Sequence, residues 1–175
     1  SGVGLSIVVL VYKQMRPHFA ELGEIAGVYR NINRFPESQI RTGVLIVRFD
    51  SALHFANHRF MVSSIEHQIS QRTDGIKTVI LCAESIGYID ASGITALENI
   101  IDDLEERGTS FRLAAAIGPV RDIIESSKLI TRIGKTRCFT SIEMAVEDIY
   151  KPGSMDSDLK RIATQVDNPD LDDKE

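Results

Sequence analysis

Cysteine is scarce in this chain. Cys82 and Cys138 are its two thiols among 175 residues, far apart and without CxxC spacing. That excludes a disulfide scaffold or a cysteine zinc site and points to a reducing, cytoplasmic setting. Cys82 lies inside the apolar run TVILCA and reads as a buried small hydrophobe. Basic runs are missing too, and the net charge is -5, so nucleic acid is excluded as a partner attracted by bulk charge. No apolar run reaches the roughly 20 residues of a membrane span. GVGLSIVVLVY, Gly2 to Tyr12, would make a helix about 16 Å long. It lacks the basic leader and small-residue cleavage site of a secretory signal. Lys13, Arg16 and His18 follow it, the flank carried on the cytoplasmic side of membrane helices. Internal repeats and low-complexity stretches are absent.

What is present suits one folded domain. Hydrophobic residues make up 43% and charged residues 26%, enough apolar chain for a core without staples. Residues 13–42 carry RP and FPE breakers and no sustained period, and read as an extended connector. GVLIVRF (Gly43 to Phe49) is a short β-branched run, a buried strand. SALHF (Ser51 to Phe55) reads as a second strand, antiparallel to it. Asn57 is placed as the cap of a helix with Met61, Ile65 and Ile69 on one face. Asp74-Gly75 turns into the strand KTVILCA. The next helix sets Ile94, Leu97, Ile101 and Leu104 on one face, and Gly108 ends it. SFRLAAAI is a further strand, after which Gly118-Pro119 opens a helix. In TSIEMAVEDIY, Thr140 and Glu143 have capping-box spacing. The acidic stretch 151–175, with Pro152, Gly153 and Pro169, is predicted disordered. Strands alternating with helices indicate an α/β (α+β) sheet with helices packed on it.

The chemical signals are mostly bland. GKT at 134–136 lacks the earlier P-loop glycine, since Leu129 stands there, and it follows a helix rather than a strand. It reads as a helix terminus and turn. His54 and His58 flank a strand-to-helix change and have no third metal ligand at a useful spacing. Glu98, Asp102, Asp103, Glu105 and Glu106 lie opposite an apolar stripe, a solvated face. GYIDASGITAL (Gly87 to Leu97) is the informative stretch. DASGI is not a nucleophile elbow, so no catalytic residue is assigned. Either Asp90 or Ser92 can cap the helix that starts there. A phosphate on Ser92 would add about -1.5 to -2 charges at a helix N-terminus, with Asp90 opposing it.

These residues are familiar as a set. TVILCAESIGYIDASGITALENIIDDLEERGTSFRLAAAIGPVRDIIESSKL resembles the core of a STAS domain. That fold is shared by anti-sigma-factor antagonists and the C-terminal part of SulP-type sulfate permeases. Asp90–Gly93 matches the D-x-S-G step where the antagonists carry their phosphorylatable serine. RPHFAELGEIAGVYRNINRFPE and LIVRFDSALHFANHRF resemble the permease linker and its first strands and helix. The resemblance implies residues 1–12 as the end of a truncated last transmembrane helix, 13–42 as linker and 43–150 as the STAS domain. It also implies a mixed sheet of four to five strands with four or so helices. The function implied is regulation of, or protein contact within, an anion transporter at the cytoplasmic face of the membrane, without catalysis. The alternative is a soluble antagonist switched at Ser92. Partners implied are the transmembrane part of the same polypeptide, a cytoplasmic protein and a second copy of the chain. The candidate interaction or anion-binding site is His54, Asn57, Asp90, Ser92, Gly93 and Thr95. Position 91 is alanine where many antagonists have a second hydroxyl. No metal or cofactor is expected; for nucleotide binding, proposed for STAS domains generally, the helix start at Ser92–Gly93 is the one visible phosphate cradle.

Overall fold

The computed structural model describes residues 2–151. The acidic tail for which disorder was expected lies outside the described residues, apart from Lys151. The elements run α1 (Gly2–Met15), β1 (Phe19–Ile25), β2 (Val28–Asn31), β3 (Val44–Phe49), α2 (His58–Gln71), β4 (Thr78–Cys82), α3 (Ala91–Glu106), β5 (Ser110–Ala114), α4 (Gly118–Ser126), α5 (Leu129–Ile133), β6 (Cys138–Phe139) and α6 (Ile142–Tyr150). Six strands form one sheet in the order β2-β1-β3-β4-β5-β6. β1 is antiparallel to both β2 and β3, and β3 through β6 run parallel.

Why the parallel strands read so clearly is visible in β4. Val79 and Leu81 join the core under α2–α5, while Ile80 and Cys82 join the core under α6. A strand covered on both faces must be apolar throughout, hence the unbroken run TVILC. Burial in that position pushes the Cys82 thiol up to about 11. Leu45 pairs with Val79, and Val79 with Phe111, so one large apolar layer crosses the parallel strands. Met61 and Ile65 of α2 and Leu97, Ile101 and Leu104 of α3 close it from above.

Three expectations are corrected. The sheet has six strands rather than four to five, because the segment read as a linker contributes two. In β1 the alternation is broken by glycine and by Glu21, which is buried. The carboxylate is tolerated there because Arg72 Nη1 donates to it at 2.6 Å while Arg72 Nη2 donates to Asp74 at 2.6 Å. Gly23 is required by close approach, since a Cβ would stand 2.8 Å from Ser38 Cβ. Ala26 and Gly27, both with positive φ, make the two-residue turn into β2, a turn whose usual signal is Asn-Gly.

SALHF is not a strand. The free side of β3 is taken by Phe19–Glu21 of β1, and Ser51–Phe55 becomes a strap with one parallel bridge, Leu53 to Ile89. The last helix begins one residue later than the Thr140 cap would put it: Ser141 caps it, its hydroxyl accepting from Met144 N. Thr140 instead reaches the Met144 sulfur. The start of α4 at Gly118-Pro119, the end of α3 at Gly108 and the turn at Gly134–Arg137 stand where the sequence puts them.

Candidate functional site

Two loops at the C-terminal end of the parallel strands build the site. The strap after β3 and the loop after β4 are laced together through backbone: Leu53 N donates to Tyr88 O, and Asp90 N to Leu53 O. Asn57 holds the strap from within. It is fully buried, its amide nitrogen donates to Ala52 O at 2.8 Å, and its side-chain oxygen accepts from His54 N at 3.0 Å. It therefore precedes α2 as expected, yet makes no side-chain cap to that helix. The His54 ring lies against Asn57 and Ala56 N, while His58 lines the space between α2 and α3. Among the described residues no cluster of three or more metal-ligating side chains occurs.

Asp90, not Ser92, caps α3. Its carboxylate accepts from Gly93 N at 2.8 Å and from Phe55 N at 3.0 Å, joining the helix start to the strap. Partial desolvation pushes this group up, but the N–H groups of Gly93, Phe55 and Ser92 and the nearby His54 outweigh it and hold it below the usual carboxylate range. The carboxylate thus fills the place an anion would take at this helix start. Gly93 is pressed against the strap: a Cβ there would stand 2.8 Å from Leu53 O and 2.9 Å from Ile89 Cγ2.

Ser92 and Thr95 are left facing outward along one wall of a groove of about 690 Å³ between α2 and α3. His58, Arg59, Val62 and Glu66 form the opposite wall. The six residues singled out in the sequence therefore divide. His54, Asn57, Asp90 and Gly93 form the scaffold; Ser92 and Thr95 form the accessible edge.

Sequence reasoning missed Phe55, 75% exposed, and Tyr88, 55% exposed, which flank the laced loops. Tyr88 stands outside every periodic stripe, while Phe55 was absorbed into the alternation of SALHF. It also missed the α2 wall, because charges on the far side of an apolar stripe are indistinguishable from a solvated face until a second helix stands beside them.

A family model described as STAS domain matches residues 35–145. The chain belongs to the STAS domain family. Among curated relatives, this STAS chain is 33% identical over 156 residues to "Sulfate transporter 1.3" of Arabidopsis thaliana, a match covering 83% of this chain and 24% of that protein. The chain thus spans about a quarter of the length of that relative. The murine Solute Carrier 26 family member A9 anion transporter, in its inward-facing state, superposes with a TM-score of 0.72 at 24% identity, over 83% of this chain and 24% of that one. An anti-sigma factor antagonist from Mycobacterium paratuberculosis superposes with a TM-score of 0.53 at 12% identity, over 64% of this chain and 90% of its own. At those identities the two structures bear on the fold alone.

Proposed function

We propose that this STAS domain is the cytoplasmic interaction domain of a SulP-type anion transporter, acting through protein contacts and without chemistry of its own. The observation that carries the reading is the sulfate transporter match. It covers 83% of the chain and so extends beyond the residues 35–145 that the family model matches. Helix α1 agrees with it. Leu5 is 70% exposed and Val8 64% exposed, so an apolar helix stands in front of β1 with little packed on it, as the end of a membrane helix would. None of the described helices is long and apolar enough to cross a membrane. Arg16, stacked over the Tyr12 ring, gives it a basic end. The contact surface in this reading is the groove edge at Ser92 and Thr95 with the exposed Phe55 and Tyr88. An immunoblot of fractionated cells with an antibody against this domain tests it. A membrane-bound band far above 19.4 kDa is expected; a soluble band near that mass overturns it.

The second reading, an antagonist switched at Ser92, draws on the fold likeness and on the Ser92 hydroxyl, which is not used by the cap. It predicts that Ser92→Asp abolishes partner binding. The lack of a second hydroxyl at Ala91, and Asp90 already accepting the N–H groups a phosphate would seek, both favour the transporter reading.

A further inference from the structure

A second cavity shares no residue with the α2–α3 groove. It has a volume of about 540 Å³ and lies between α4, α5 and the β5–β6 edge of the sheet, within the range of small-molecule sites. Its floor is apolar: Leu113, Ile124 and Phe139 reach it from the two cores, with half-buried Ala116 and Ile130 as walls. Arg121 of α4 and Lys135, in the GKT turn that the P-loop test left without a role, both line it. Neither makes an ion pair or side-chain hydrogen bond among the described residues, whereas Arg132 and Arg137 beside them are paired to Asp102 and Glu105. Glu125 also lines the cavity, one helical turn from Arg121 yet outside ion-pair distance. The charged lining therefore carries one net positive charge over an apolar floor.

We propose that this cavity binds a small organic monoanion with an apolar body, of the medium-chain carboxylate class. Its charged end sits between Arg121 and Lys135, and its chain lies against Ile124, Ile130 and Phe139. Glu125 disfavours a dianion such as a phosphate monoester, because a second negative charge would meet the carboxylate without a cation to balance it. Cys138 lines the wall, and burial together with Glu125 pushes its thiol up to about 11. At neutral pH it is a neutral surface for the chain rather than a nucleophile, so binding is reversible.

The test uses the 175-residue chain and two probes of equal length, octanoate and the uncharged octanamide, by isothermal titration, with amide chemical shifts to locate them. Octanoate is expected to bind with a dissociation constant below about 1 mM, and octanamide at least about tenfold more weakly. The double variant Arg121→Gln/Lys135→Gln should weaken octanoate by about tenfold or more, leave octanamide unchanged and keep the unfolding midpoint. Ala116→Leu, which fills the wall, should weaken both probes. Equal binding of the two probes, octanoate binding untouched by the double variant, or shifts gathered on the exposed apolar face of α1 would each overturn the assignment, as would no binding at all.

Discussion

The antiparallel flank, β1 and β2, and the parallel core, β3 to β5, belong to one sheet but are held by different physics. The core strands are joined through runs such as VLIV, the start of β3, and TVILC, buried on both faces. The flank is tied down by polar groups. Glu21 meets Arg72, Arg72 meets Asp74, and Asp74 accepts from Gly43 N. At the other end Asp50 takes Arg48 and His18, while the buried Asn31 lies 3.5 Å from the His18 ring. The lesson is that a strand can be integral to a sheet without an apolar signature, provided that its buried charges are paired. That flank is also what lies in front of the 35–145 family match, between α1 and the common core.

The comparison can be broken most severely at Arg72. Arg72→Met strands Glu21, whose side chain is 6% exposed, as an unpaired buried charge, and should cost about 3–5 kcal/mol, read by denaturant unfolding. Amide exchange should show β1 and β2 opening first. If β4 opens equally early, flank and core are one cooperative unit.

Acid should do part of the same work reversibly. The Arg72 guanidinium and Gly43 N–H hold Asp74 far below the usual carboxylate range. Asp50 is pushed up by desolvation but pulled below its ordinary value by Arg48 and His18. Groups depressed in the folded state stabilise it fully above the unfolded value, about 4, and lose that contribution as pH falls through the folded values. Exchange in β1 and β2 should therefore accelerate below about pH 4, while β4, which carries no carboxylate, lags behind.

On the core side the controls are steric and capping ones. Gly93→Ala pushes a methyl into Leu53 O and Ile89 and should cost about 1–3 kcal/mol, with a pH dependence unlike that of the flank variants. Asp90→Ala removes the cap of α3 and one tie to the strap, for about 0.5–2 kcal/mol. Ser92→Ala should be the smallest, within about 0.5 kcal/mol, since its hydroxyl caps nothing. A loss comparable to that of Asp90→Ala would mean that the helix start rearranges in solution.

The same contrast explains what was legible. Helices α2, α3, α4 and α6 and strands β3, β4 and β5 carry their periods openly because each buries an apolar stripe or run. The flank does not, for Glu21 looks like a surface residue until Arg72, far along the chain, is placed beside it. SALHF looked like a strand because Leu53 and Phe55 alternate with polar residues. In the fold Leu53 is buried and Phe55 is exposed, a half-buried strap rather than a sheet member. At the site, Asp90 and Ser92 were equal candidates for the cap by residue type alone. What separates them is that the Asp90 carboxylate also receives Phe55 N, a contact between loops that no local pattern encodes. The α4–α5 cavity was invisible for a related reason: its charged residues come from helix α4 and from the separate GKT turn.

The contact of Gly93 with Leu53 has a consequence for how such chains are found. The glycine in Asp90-Ala91-Ser92-Gly93 is demanded by a strap lying against the first turn of α3, and the aspartate by the bare N–H groups around it. Two of the four letters are thus spelled by shape, and a search keyed to them retrieves this junction regardless of whether a hydroxyl is ever modified. The four-letter word reports architecture. Its chemical meaning has to be looked up in the residues across the groove.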